Sequence, residues 1–110
     1  MDWKTVEILG YTHFAKDGYR ILISLVDNHC YDFVAEKDCK FIRVNVKVAG
    51  LRDKKEPDSW SISKAGRGSD LPDVFLVWLP DRELFIELPG DVWGERTSKI
   101  VRIPKQYLEA

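Results

Sequence analysis

The sequence predicts an α+β fold, a mixed β-sheet with one helix packed on it. Three observations carry this expectation. The first sixteen residues have helical spacing of apolar groups, Tyr31 to Val48 reads as a β-hairpin, and the second half is a series of short strand-like runs separated by turn residues.

The helix comes first. Asp2 can cap a segment from about Trp3 to Lys16. Trp3, Val6, Gly10 and Phe14 form one stripe, which Ile8 and Leu9 widen, and Asp17-Gly18 supplies a left-handed stop. Tyr19 to Val26 is almost continuously apolar, which predicts a strand buried on both faces. Asp27-Asn28-His29 is a turn.

The hairpin is the centre of the chain. Tyr31 to Ala35 is aromatic and β-branched, Glu36-Lys37-Asp38-Cys39 is the turn, and Lys40 to Val48 alternates strictly. Alternation puts Ile42, Val44, Val46 and Val48 on one face and Arg43, Asn45 and Lys47 on the other. Ala49-Gly50 closes the unit. Leu51 to Asp58 is a charged loop, Ser59 to Ala65 a short strand, and Gly66-Arg67-Gly68-Ser69 a linker whose spacing does not match a phosphate-cradling loop. Asp73 to Leu79 is a buried strand, Pro80 to Glu83 a turn and Leu84 to Leu88 the return strand. Pro89-Gly90-Asp91 starts one helical turn. Ile100 to Ile103 is a last strand, stopped by Pro104.

One hundred and ten residues suit one small domain, long enough to bury a core without disulfides or a structural metal. No run of eighteen apolar residues and no signal-peptide pattern occurs, so the expected location is intracellular, in the cytoplasm. Cys30 and Cys39 lie at opposite ends of the predicted strand, on the order of 30 Å apart at about 3.3 Å per residue, far beyond the roughly 7 Å a disulfide allows. With His13 and His29 they make no zinc pattern. The net charge of −1 hides an asymmetry. Between Lys37 and Arg67 nine bases face four acids, a net of +5, which leaves −6 for the rest. A basic face of this kind suits a phosphate backbone, and a solvated charged loop is the alternative for residues 52–58.

Asp32, Asn45 and Lys47 carry the candidate chemistry. A carboxylate, an amide oxygen and a lysine in one cluster can hold a hard divalent cation beside a phosphate oxygen. Each has an ordinary reading too: Asp32 as a strand-end residue capping local N–H groups, and Lys47 as an edge lysine that blunts aggregation. A lysine in an apolar strand is costly unless it reaches water or an anion.

Asp32, followed after a turn by Asn45-Val46-Lys47, resembles the core of the PD-(D/E)XK nuclease superfamily, with Tyr31 where Pro often stands. Asn45 departs from the usual second acid. Small homing-type members carry Gln there, and FIRVNVKVAG is similar to their strand. The resemblance implies a single nuclease-like domain over residues 1–110, with a restriction-endonuclease-like mixed sheet flanked by helices. It implies Mg2+ or Mn2+ held by Asp32, by the main-chain carbonyl of Val46 and by Glu7 from the first helix. It makes Asp32, Asn45, Lys47 and Glu7 the catalytic set. Glu7 lies on the helix face with Trp3 and Gly10, and the alternative for it is an exposed glutamate paired with Lys4 or Tyr11. The substrate implied is double-stranded DNA, contacted by Lys37, Lys40, Arg43, Arg52, Lys54, Lys55, Lys64 and Arg67. The activity implied is a metal-dependent endonuclease, homing-type or borne by phage or mobile elements. A junction resolvase, or a weakened nuclease fold that only binds nucleic acid or protein, is the alternative that Asn45 feeds. The family's second core helix has no counterpart in the sequence. That gap, with the large apolar groups from Val74 to Ile86, predicts a homodimer or tetramer built through the second hairpin.

Overall fold

A computed structural model of the chain describes residues 2–23, 31–51, 60–63, 71–94 and 100–109. Helix α1 spans Trp3–Ala15, and the Asp2 carboxylate accepts the Thr5 N–H at 2.8 Å, the expected cap. Val6, Gly10 and Phe14 are its buried positions. Trp3 and Ile8 are about half exposed, so the stripe is narrower than the sequence suggests and Ile8 does not widen it. Gly10 sets the depth of the helix: a Cβ there would lie 3.3 Å from Leu76 and from Val46. Gly18, at φ +90°, turns the chain out of the helix.

Among the described residues eight strands follow: β1 Arg20–Leu22, β2 Phe33–Lys37, β3 Lys40–Val48, β4 Gly50–Leu51, β5 Trp60–Ser63, β6 Val74–Leu79, β7 Leu84–Pro89 and β8 Ile100–Arg102. A 3-10 turn covers Lys105–Tyr107. Five strands make one sheet in the order β1-β2-β3-β6-β7, and three make another in the order β4-β5-β8. The large sheet is mixed, because β3 and β6 run parallel while its other pairs are antiparallel. The α+β architecture expected from the sequence is the one observed.

Alternation along β3 and β6 divides the core in two. Val44, Val46, Leu76 and Trp78 join Phe33, Ala35, Val6 and Phe14 under the helix. Phe75, Val77 and Leu79 join Trp60, Ile62, Trp93, Val101 and Ile103 on the other face. The cover of that second face is the small sheet. A missing second core helix leaves that flank to be covered by something else, such as a partner subunit, and here the chain itself covers it. The helix is also tied to β7, where His13 Nε2 and Glu87 Oε2 are 3.2 Å apart and the His13 imidazole holds the Glu87 carboxyl below its usual range.

Several boundaries differ from expectation. The β2–β3 turn is two residues, Asp38-Cys39, both with positive φ, and Lys37 pairs directly with Lys40. The strand after the helix is short and lies at the sheet edge, with Leu22 and Ile23 exposed, so it is not buried on both faces. Ala49-Gly50 is no terminus, since Gly50–Leu51 enters the small sheet. The segment after Pro89 is a turn closed by Val92 and Gly94 N–H bonds and does not form a helix. Cys39 is a free, exposed thiol. The Asp27-Asn28-His29 turn, Cys30, the charged loop at 52–59 and the Gly66–Ser69 linker lie outside the described residues.

At the entrance to β6, Asp73 clamps β3. Its Oδ2 accepts the Arg43 N–H at 2.8 Å, its carboxylate meets the Arg43 guanidinium at 3.2–3.3 Å, and its own N–H donates to the Arg43 carbonyl at 2.9 Å. Gly90 N–H then binds the Asp73 carbonyl, and a Cβ on Gly90 would overlap the Pro72 carbonyl oxygen.

Candidate active site

The site forms where β2 stops pairing and β3 continues. Asp32, one residue before β2, gives its N–H to the Val44 carbonyl at 2.8 Å. Its side chain then takes over from the main chain: Oδ2 accepts the Val46 N–H at 2.6 Å. Asp32 therefore caps a local N–H group as its ordinary reading required. That bond also fixes the carboxylate against the Asn45-Val46-Lys47 segment. N–H and C=O of one strand residue point to the same side, so the Val46 carbonyl faces β2 as its N–H does.

Asn45 and Lys47 share the face opposite α1, as the alternation predicts: they pair with Phe75 and Val77, which belong to the second core. Asn45 is 7% exposed, and Lys47 is half-buried. Among the described residues no hydrogen bond or ion pair holds the Lys47 ammonium. Burial holds it below the usual lysine range, against the opposing pull of Asp32. The Asp32 carboxyl is displaced the other way. Burial raises it above the usual carboxylate range, the Val46 N–H lowers it, Glu7 raises it again, and Lys47 and Lys4 lower it. Both charges are thus costly to hold, and each is partly relieved by the other.

Glu7 reaches this field from the helix. It is half-buried, and its Oε1 accepts the Tyr11 hydroxyl at 2.8 Å. Burial, then the Glu7 carboxylate, push the Tyr11 phenol up to about 12, so it remains a donor. The fold therefore brings Glu7 and Lys47 into the field of Asp32, bonds Asp32 to Val46, and places Asn45 on the Lys47 face. Tyr11 entered the sequence reading only as an ordinary neighbour of Glu7, and its position one turn on was the signal for a closer role.

The basic residues divide differently. Lys37 and Lys40 stand exposed at the hairpin end, with Lys37 Nζ also donating to the Asp17 carbonyl at 2.9 Å and lying 5.3 Å from the Tyr19 ring centre. Arg43 is engaged by Asp73. Arg52, Lys54, Lys55, Lys64 and Arg67 lie outside the described residues. Among the described residues no group of three or more His, Cys, Asp or Glu side chains converges. The acidic donors are two carboxylates, Glu7 and Asp32, supplemented by amide and main-chain oxygens. Such an all-oxygen set suits magnesium, which takes one or two carboxylates and completes its shell with water and phosphate.

A helix-flanked mixed sheet with an acid before one strand and an x-Lys segment on the next defines a nuclease core. The PD-(D/E)XK endonuclease family model matches residues 2–107, and the chain belongs to that family. Among solved structures it is similar to a bacterial homing endonuclease, I-Ssp6803I, with a TM-score of 0.71 and 19% identity over 91% of this chain and 70% of that one. No curated protein matches the sequence. Nucleases of this family generally use divalent metals.

Proposed function

We propose that residues 1–110 form one homing-type endonuclease domain, borne by a phage or mobile element, that hydrolyses phosphodiester bonds in double-stranded DNA with Mg2+ or Mn2+. The observation that carries this reading is the Asp32 carboxylate pinned to the Val46 N–H at 2.6 Å, which sets it beside Asn45 and Lys47 and in the field of Glu7. Asp32, Glu7, the Asn45 amide oxygen and the Val46 carbonyl would hold the cation. When bound, the cation supplies charge neutralisation at the scissile phosphate and an acidified water. Lys47 orients the attacking water or neutralises the phosphate oxygen on which charge develops. Its half-buried ammonium suits that work, because the strand has already removed part of its water. Lys37 and Lys40, with Arg52, Lys54, Lys55, Lys64 and Arg67, contact the backbone. Arg43 contributes to the same basic face while holding Asp73. Two copies, as a dimer or within a tetramer, would cut the two strands.

Nicking of supercoiled plasmid with and without Mg2+ tests the reading. The wild type is expected to nick only with the cation. Lys47→Ala is expected to lose cleavage by at least about a hundredfold, in the range of general acid–base and electrostatic contributions, while keeping most DNA affinity. Undiminished cleavage by a folded Lys47→Ala protein would sink the assignment.

A further inference from the structure

Resting on the reading of Glu7 and Asp32 as cation ligands, we infer that Tyr11 is a positioning residue that holds Glu7 in place for the cation. Glu7 sits on a helix while Asp32 sits at the head of a strand, and two like charges close together tend to part. A glutamate side chain also has rotamer freedom to lose, so nothing in Glu7 alone keeps it turned toward Asp32. Tyr11 does so. It lies one turn further along α1, on the same face as Glu7. Its hydroxyl donates to Glu7 Oε1 at 2.8 Å. A phenol has one proton to give, so this bond engages one carboxylate oxygen and leaves Oε2 for the cation.

The ring of Tyr11 is itself fixed. It stands edge-on to Phe33, with centroids 5.0 Å apart and planes at 88°, and Phe33 is fully buried. Phe33 is the residue that follows Asp32. The contacts therefore run from Glu7 through Tyr11 and Phe33 to Asp32, and the tyrosine sets the spacing between the two carboxylate-bearing elements. Partners that hydrogen-bond a ligating carboxylate tune metal affinity by roughly 10- to 100-fold.

Tyr11→Phe keeps the ring and its contact with Phe33 and removes only the hydroxyl. The experiment is calorimetric titration of Mn2+ into four proteins whose folding is first checked by thermal melting: wild type, Tyr11→Phe, Glu7→Gln and the double variant. Tyr11→Phe is expected to weaken Mn2+ binding roughly tenfold, and Glu7→Gln at least as much. The double variant is expected to bind no more weakly than Glu7→Gln alone, because the hydroxyl acts only through Glu7. Weakening by Glu7→Gln with no effect of Tyr11→Phe would overturn the inference and leave the reading of Glu7 standing. The same would follow from an equal effect of Tyr11→Phe in the wild-type and Glu7→Gln backgrounds. Unchanged binding by Glu7→Gln would overturn the reading of Glu7 and the inference with it.

Discussion

At residue scale, the site holds charges that the fold alone would not choose. The Asp32 carboxyl lies above its usual range chiefly because burial penalises the anion. A carboxyl raised in the folded state stabilises the fold fully below its unfolded pKa, and that stability is lost as pH rises through the raised value. The cost is complete once pH has passed that raised value. Asp32→Asn retains an oxygen to accept the Val46 N–H and removes the charge. It is expected to raise stability at pH 7 by about 1 kcal/mol, as replacements at strained functional sites do, while abolishing metal-dependent cleavage. Melting at pH 7 and at pH 3 checks this: the gain should shrink at the lower pH, and a destabilised Asp32→Asn protein would contradict it. Asn45 poses the converse case. At 7% exposure beside Asp32 it can offer an oxygen without adding a third charge. Asn45→Asp is expected to tighten Mn2+ binding roughly tenfold and to lower the metal-free melting temperature. Calorimetry and melting read the two effects separately, and unchanged affinity would remove residue 45 from the site. Asp32 and Lys47 were legible because a charged residue at an otherwise apolar strand position is conspicuous. Tyr11 is legible only as a partner for Glu7 one turn away, and its edge-on packing against Phe33 leaves no local signal.

At the scale of elements, the parallel β3–β6 contact is what aligns the site strand with the rest of the sheet, and Asp73 secures it. Asp73 stands at the entry to β6, and its four bonds to Arg43 tie that end of the strand to β3. The Arg43 guanidinium and N–H hold the Asp73 carboxyl below its usual range. A depressed carboxyl contributes stability that is present above its unfolded pKa and lost as pH falls through the folded one. Asp73→Ala is therefore expected to cost about 1 kcal/mol at pH 7, the low end for bonds to charged groups because the pair is half exposed. The difference from wild type should close as pH falls below about 4. Denaturant melts at several pH values test this, and a pH-independent gap would show that packing and not charge is at stake. β3, marked by its alternation, and β6, marked by its apolar run, lie nearly where the sequence predicts them. The hairpin turn was read too wide, since neither Asp38 nor Cys39 is the glycine that usually announces two positive φ values. The strand after the helix was read as buried because Tyr19 to Val26 is apolar, and composition does not tell an edge from a centre.

At the scale of the whole molecule, the pairing within the small sheet is the part that the sequence hides. Ser59 to Ala65 and Ile100 to Ile103 read as short strands and contain β5 and β8, but Gly50–Leu51 is too short for any period, and the three lie too far apart in sequence for local signals to join them. With the small sheet over Phe75 and Val77 and the helix over Leu76, all three are fully buried, so they cannot form the apolar contact between subunits that their composition suggests. Chemistry and one strand still favour a dimer. A single site cuts one strand per encounter, and the two-fold pseudo-symmetry of duplex DNA is matched most simply by two sites about a two-fold axis. Among the described residues β7 is an edge of the large sheet, with Leu84 43% exposed and Phe85 and Ile86 half-buried. An edge strand with an apolar outer residue is a template for pairing with a second copy. The expected outcome is a dimer by light scattering at tens of micromolar, with Leu84→Lys giving a folded monomer. That monomer should still nick plasmid but should no longer linearise it in one encounter. A wild type that stays monomeric yet linearises plasmid would reject the two-site argument. A Leu84→Lys protein that stays dimeric would move the interface away from β7.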